Sequence, residues 1–151
     1  MEIDPNTDFR EKYAPLVHVL TNESDFDFLA GESGYQSGMA ESFRGMRREA
    51  IRGYLVELAA DFELLHDTLL PSAISDARLA VLLVEARREW RRTHRSIRFR
   101  LFLDGFIPNP TPHRGIGLLV RRIVLWLLPR PAGAVEFLSK MEQLGRMAAS
   151  V

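Results

Sequence analysis

The fold of this chain is decided by residues 54–90, whose sequence is YLVELAADFELLHDTLLPSAISDARLAVLLVEARREW. Apolar residues recur every three or four positions on both sides of a short stretch that contains Pro71. This spacing is typical of amphipathic helices, and both stripes continue outward into the flanking sequence. The pattern predicts two long helices, over about 37–70 and 76–103, joined by a tight turn.

So short a turn forces the two helices to lie antiparallel. Matching the stripes aligns Leu69–Leu79, Leu65–Leu83, Phe62–Ala86 and Leu58–Trp90, and the same register predicts the interhelical ion pairs Glu57–Arg91 and Asp61–Arg87. Pro71 is expected to end the first helix because it has no N–H to donate, and Ser72 or Ser75 is expected to cap the second. Gly45 and Gly53 weaken the first helix, so a kink or a close helix contact is expected there.

The remainder of the chain is also predicted to be helical. Residues 106–115 contain three prolines and are expected to form a loop, followed by two shorter helices over 116–128 and 132–149. No strand-like alternation persists anywhere. The fold class is therefore all-α, a bundle built on the long hairpin. Residues 1–35 are expected to form an acidic leader whose short helices pack on one helical-bundle domain, 36–151.

The composition of the chain excludes cysteine-based sites and indicates where the protein is located. The chain has 151 residues, a formal net charge of zero and no cysteine, so disulfides, thiolate metal sites and cysteine nucleophiles are excluded. The N-terminal sequence is acidic and polar, unlike a signal peptide, and no apolar run is long enough to span a membrane. These features favour a cytoplasmic protein.

The distribution of charge is uneven although the total is zero. Residues 1–42 carry a net charge of −7, residues 43–104 carry +3 and residues 105–151 carry +4. Eighteen of the twenty basic residues are arginines. The predicted register brings many of them together at the end of the hairpin away from its turn, and the predicted anion-binding set is Arg44, Arg47, Arg48, Arg52, Arg91, Arg92, Arg95 and Arg98.

A cluster of guanidinium groups in partial excess over nearby acids calls for an anionic partner, because their planar forks bind carboxylate or phosphate bidentately. One alternative is the acidic leader itself, through Glu23, Asp25, Asp27 and Glu32. The other is an external anionic ligand or an acidic patch on another protein. Nucleic acid is a poor candidate, because the chain is neutral and few aromatic residues accompany the arginines.

Residues 116–128 are predicted to form a helix that is apolar on nearly every side, interrupted by Arg121 and Arg122. Such a helix is either a central core helix or one that packs against something outside its own chain. A homodimer interface and a contact with a membrane surface are the two external alternatives. The candidate interface residues are Ile116, Leu119, Ile123, Trp126 and Leu127.

Signs of catalytic or metal chemistry are few. Glu63 and His66 have the Glu-x-x-His spacing of dimetal helical bundles, but the residue three before His94 is an arginine, so the required second motif is missing. No Ser-His-Asp order and no glycine-rich phosphate loop stand out. The sequence therefore predicts no metal and no cofactor.

The segment from Arg88 to His94 resembles the Arg-polar-x4-His motif of HEPN-type ribonucleases, which are all-α proteins of similar size. The resemblance implies that Arg88 would hold the scissile phosphate and that His94 would act as general acid or base. It covers seven residues, and Glu89 stands where that family favours asparagine, aspartate or histidine.

A longer resemblance covers roughly residues 25–105. The runs DFDFLAGESG, FRGMRREAIRGYLVELAADFELLH and DARLAVLLVEARREW are similar to a group of uncharacterised bacterial helical proteins, which implies a shared helical plan and no particular activity. The sequence as a whole favours a non-enzymatic helical protein that self-associates, as a dimer, or binds a protein partner through an arginine-rich face. The alternative is a HEPN-like ribonuclease.

Overall fold

The computed structural model describes residue 4 and residues 7–21, 33–34, 36–104, 123 and 132–150. Within this part of the chain all regular structure is helical, which confirms the all-α class and the long hairpin. The helices are α1 (Phe9–Lys12), α2 (Ala14–Thr21), α3 (Ser37–Ala73), α4 (Ala77–Asp104) and α5 (Ala132–Ala149). The last of these matches the final predicted helix, whereas the predicted helix 116–128 lies outside the described residues except for Ile123.

The end of α3 differs from the prediction, because the helix continues through Pro71 to Ala73. Pro71 has no N–H to donate to the carbonyl four residues before it, and its ring crowds that carbonyl. Only two helical residues follow, so the cost is confined to the last turn, where carbonyl groups already lack helical partners. After the helix, the chain makes two hydrogen bonds between residues three positions apart. The Ile74 N–H donates to the Pro71 carbonyl (3.4 Å), and the Ser75 N–H donates to the Ser72 carbonyl (3.3 Å).

The start of α4 is fixed by Asp76, not by either predicted serine. Its carboxylate accepts hydrogen bonds from the backbone N–H groups of Arg78 (2.9 Å) and Leu79 (3.2 Å), which would otherwise have no partner in the first turn. The carboxylate charge also lies at the positive end of the helix dipole. The prediction of a serine cap was wrong, and the connection is only residues 74–76 long.

The hydrophobic core lies where the predicted stripes of α3 and α4 meet α5. All eight residues of the four predicted pairs are buried in one cluster. At its centre three aromatic rings, one from each helix, pack against one another. Their centroid separations are 5.7 Å for Phe62–Trp90, 5.4 Å for Phe62–Phe137 and 5.3 Å for Trp90–Phe137. This aromatic cluster fixes the spacing of α3 and α4 and so the shape of the surface between them.

The ion pairs across the hairpin are not the predicted ones. Arg87 binds Glu63 with two hydrogen bonds, of 2.6 and 3.0 Å, and Asp61 faces the leader instead. Matching the stripes compares how far along the helices two residues lie, but an ion pair also requires that both lie on facing flanks of their stripes. Asp61 and Glu63 are two positions apart, so they lie about 200° apart around α3.

The leader helices α1 and α2 pack into the same core. Their apolar residues Phe9, Tyr13, Leu16 and Leu20 are all buried against α3 and α5. Asp61 of α3 holds them in place, because its Oδ2 atom accepts from the Tyr13 hydroxyl (2.5 Å) and from Lys12 Nζ (2.6 Å). Residues 7–21 thus belong to the bundle as closely as the hairpin does.

Helix α5 closes the other side of the hairpin. Lys140 Nζ contacts Glu89 of α4 at 2.5 Å, and the Phe9 ring packs so closely on α5 that a Cβ atom at Gly145 would lie 3.0 Å from it. Among the helices described here, none is both long enough and apolar enough to cross a membrane.

Candidate functional site

A long open groove lies between the C-terminal end of α3 and the exposed face of α4. Its volume is about 920 Å³. We call it the arginine groove and define it by its lining residues: His66, Leu70, Ala73 and Ile74 of α3, with Ala80, Leu83, Val84, Arg87, Arg88, Arg91, Arg92, Arg95, Ser96 and Phe99 of α4.

The α4 wall is a second stripe on that helix, because its residues repeat at i, i+3, i+4 and i+7. Along this stripe the turn end is apolar, the middle is cationic, and Phe99 ends it. Several large apolar side chains here remain in contact with water, including Ile74 (88% exposed) and Val84 (61% exposed). A contiguous exposed apolar surface rimmed by polar groups is typical of an interaction site.

The arginines of this wall have few partners. Arg87 is neutralised by Glu63 and its guanidinium lies 5.4 Å from the centre of the Phe62 ring. Among the described residues, the guanidinium groups of Arg88, Arg91, Arg92, Arg95 and Arg98 make no hydrogen bond or ion pair, and neither does that of Arg78 at the start of the helix. Five like charges on a helix surface repel one another, so an anion placed among them would be stabilised.

The arginines of α3 are placed differently, since each has a partner within the chain. Arg44 is buried and donates to the Asp104 carbonyl at 3.3 Å, and Arg47 donates to the Val19 carbonyl of α2. Arg48 contacts Glu41 and Asp104, at 3.5 and 3.9 Å. Their role is to tie α3 to its neighbours.

The eight predicted anion-binding arginines therefore do not form one pocket. Arg52 is also paired, with Glu49 at 2.6 Å. The arginine groove is lined by Arg91, Arg92 and Arg95, and a second cavity is lined by Arg91, Arg95 and Arg98, but no arginine of α3 lines either one. The structure brings the α4 members of the set together and separates them from the α3 members.

Other predicted site residues lie outside the described part of the chain. These are the leader acids Glu23, Asp25, Asp27 and Glu32 and the interface residues Ile116, Leu119, Trp126 and Leu127. Ile123 is described, and its side chain is 49% exposed. The dimer interface stays a prediction.

The HEPN-like pair is not assembled into one cavity. Arg88 lines the arginine groove, whereas His94 lines the second cavity, of about 540 Å³, together with Trp90 and Phe99. Six residues of α-helix turn the chain through about 600°, which places the two side chains on different faces. Burial lowers the pKa of His94 below its ordinary value, and the nearby Arg98 lowers it further.

One group of possible metal ligands occurs at the edge of the arginine groove. Donor atoms of Glu63, His66 and Asp67 lie within 4.8 Å of one another. Both carboxylate oxygens of Glu63, however, already accept hydrogen bonds from Arg87, and all three residues belong to a single helix. Binding a metal there would require breaking the Arg87 pair, so we assign no metal site to this group.

The sequence analysis did not predict the arginine groove, although the helical spacing of its lining residues is present in the sequence. The strongest apolar stripe of α4, which includes Leu79, Ala86 and Trp90, is the buried one. Val84, Arg88 and Arg95 repeat at the same helical spacing on another face, and the mixture of apolar and charged residues hides this stripe from a search for hydrophobic periodicity.

Comparison with known proteins yields no relative. The chain shows no significant match to any protein-family model, to any curated protein or to any solved structure.

Proposed function

We propose that this protein is a non-enzymatic binding module whose arginine groove accepts an acidic segment of a protein partner. The observation that carries the proposal is the coincidence, on one face of α4, of four arginines without a partner in the described chain (Arg88, Arg91, Arg92 and Arg95) and of exposed apolar side chains beside them. Either feature alone is common on protein surfaces. Together they match a ligand that is both acidic and apolar.

The chemistry of the groove supports a protein carboxylate as the anion. A guanidinium group binds a carboxylate through two parallel hydrogen bonds, and such charge-assisted bonds are about twice as strong as neutral ones. A ligand that covers the apolar residues beside them removes water from around these bonds, which strengthens them. A bound nucleic acid would leave the side chains of Leu70, Ile74 and Val84 exposed to water, because a phosphate backbone offers no apolar surface to cover them.

The ribonuclease alternative draws no support from the positions of Arg88 and His94, which line different cavities. In the proposed role Arg88 binds a carboxylate without transferring a proton, and His94 is not required.

The proposal is tested by fluorescence anisotropy with a labelled poly-glutamate peptide of about 16 residues, a length that as a helix would span about 24 Å of the groove. The test variant is Arg88→Glu/Arg92→Glu. Its matched control is Arg78→Glu/Arg146→Glu, which changes the net charge equally at exposed positions outside the groove. We expect saturable binding at low salt that the test variant weakens by at least about tenfold, while the control stays within about threefold of wild type.

Equal weakening by both double variants would mean that the peptide responds only to overall charge, and the groove would then have no special role. Absence of saturable binding to the wild-type protein at low ionic strength would also contradict the proposal. Circular dichroism of each variant verifies that the helices are intact, as expected for exposed side chains.

A further inference from the structure

The arginine groove has an order along its length that specifies more than acidity. We propose that its occupant is a single amphipathic helix of a partner protein, with acidic residues on one face between two apolar anchors. This inference rests on the proposed function and adds to it the conformation of the partner segment and the sequence pattern that the groove recognises.

The shape of the groove favours a helix. Near the turn its two walls are neighbouring helices, and from Arg91 to Phe99 it continues along α4 alone; the spacing of residues on each wall is that of a helix face. Side-chain ridges on a third helix fit into such a valley at an axis separation of about 8–10 Å. An extended peptide would fit less well, because α3 and α4 already satisfy their own backbone groups and offer no strand edge to its N–H and C=O groups.

The positions of the charges give the pattern. Arg88, Arg92 and Arg95 are four and then three residues apart on the same face of α4. A helix lying alongside would present carboxylates at matching heights if its acids were spaced at i, i+4 and i+7. The residue spacing is the same for a parallel and an antiparallel helix, apart from the order of the four-residue and three-residue steps.

The apolar residues at the two ends of the groove set where the anchors of the partner helix would bind. Val84 lies one turn before Arg88 and Phe99 lies one turn after Arg95, and both are at least half exposed. The distance between them along α4 is about 22 Å, which corresponds to a helix of about 15 residues. An apolar side chain at each end of the partner helix would cover these surfaces, and such anchors carry much of the binding energy of helix-in-groove complexes.

The described helices of this chain do not supply such a helix. In none of α1 to α5 do three acidic residues occur at i, i+4 and i+7, or at i, i+3 and i+7. Asp4, Asp8 and Glu11 have the first spacing in the sequence, but Asp4 and Asp8 precede α1. The proposal therefore commits to a helix of a different protein.

The experiment compares two labelled peptides of identical composition, each about 16 residues long. In the patterned peptide, glutamates at i, i+4 and i+7 form one face between leucine anchors, and in the scrambled peptide the same residues are distributed around the helix. Each is titrated against wild type and against Val84→Asn, with Val81→Asn as the matched control. Val81 and Val84 are similarly exposed on the same helix, at 57% and 61%, but only Val84 lines the groove.

We expect the patterned peptide to bind wild type at least about tenfold more tightly than the scrambled one and to gain helical circular dichroism on binding. This advantage should be lost in Val84→Asn and retained in Val81→Asn. An advantage that persists in Val84→Asn would overturn the placement of the helix in the groove.

The inference and the proposed function fail in different ways. If both peptides bind equally and both are weakened by Arg88→Glu/Arg92→Glu, the partner is acidic without being a patterned helix, so the inference is wrong and the proposed function stands. If neither peptide responds to that double variant, both are wrong.

Discussion

At the scale of single residues, the contact between Tyr13 and Asp61 is the most informative polar interaction of the fold. The Tyr13 side chain is fully buried, and its hydroxyl donates to a carboxylate that also binds Lys12. Burial raises the pKa of Tyr13 above its ordinary value, and the hydrogen bond to Asp61 and the negative charges of Asp61 and Glu57 raise it further. The folded protein therefore favours the protonated phenol.

Removing this hydroxyl is expected to destabilise the protein. Tyr13→Phe deletes the donor to Asp61 while keeping the ring, and we expect a loss of about 1–2 kcal/mol in the free energy of unfolding, measured by urea denaturation at pH 7. Tyr54→Phe is the matched control, since no hydrogen bond of the Tyr54 hydroxyl occurs among the described residues. A loss of equal size in both variants would mean that the hydrogen bond has no special weight.

The difference in the free energy of unfolding between wild type and Tyr13→Phe is expected to depend on pH. Because the pKa of Tyr13 is higher in the folded state, the folded protein holds a proton that the unfolded chain releases above about pH 10. The stabilisation is complete below that pH and is lost as the pH rises, at up to about 1.4 kcal/mol per pH unit. The stability difference between wild type and Tyr13→Phe should therefore shrink between pH 10 and 11. A constant difference would show that Tyr13 titrates normally.

At the scale of elements, the long hairpin could be predicted because its signal is local. Each of the two helices repeats an apolar stripe over many turns, and a short connection permits only one relative direction. The end of α3 and the cap of α4 could not be fixed in the same way. Pro71, Ser72, Ser75 and Asp76 are all acceptable at a helix boundary, and the choice depends on where the backbone leaves the helix.

The arginine groove was only partly predictable for a related reason. The register places Arg44–Arg52 and Arg91–Arg98 at similar heights along the hairpin, and this much follows from the sequence. The side of the helix on which a charged residue lies also follows from the sequence, but the element that meets that side does not, as when α2 provides a carbonyl for Arg47. That packing is a tertiary property, and the apolar stripe of each helix constrains only the buried face.

Glycines within α3 allow a test at this scale. The sequence predicts a kink or a close helix contact at Gly45 and Gly53. A Cβ atom at either position would meet nothing within 4 Å, so the glycines are not required by a close contact, and the kink stays a prediction. Gly53→Ala should therefore stabilise the protein by about 1 kcal/mol through helix propensity alone. In a chain of this size the melting temperature would rise by about 2–4 °C, measured by differential scanning calorimetry.

Gly145→Ala is the control for the same substitution in α5. There the new methyl group would lie 3.0 Å from the Phe9 ring, so the gain in helix propensity is offset by crowding and no rise in melting temperature is expected. An equal rise in both variants would contradict the close packing of α1 on α5.

At the scale of the whole molecule, the division of the chain into an acidic leader and a separate bundle is the prediction most in need of a test. Phe9, Leu16 and Leu20 are each at most 3% exposed and share one core with the hairpin. A core that includes residues from the leader and from α3, α4 and α5 is expected to unfold as one cooperative unit.

Leu16→Ala tests this cooperativity. Because Leu16 is 1% exposed, its truncation should cost about 2–5 kcal/mol through lost burial and the cavity left behind. The control Val56→Ala, at a side chain that is 71% exposed, should change stability by less than about 1 kcal/mol.

Unfolding is followed by far-UV circular dichroism and by tryptophan fluorescence in a Trp126→Phe background, so that the fluorescence comes from Trp90 alone. If the leader is integral to the core, Leu16→Ala lowers both midpoints equally, because Leu16 and Trp90 then unfold in one cooperative transition. If the leader is a separable layer, the fluorescence midpoint stays at the wild-type value while part of the helical signal is lost earlier.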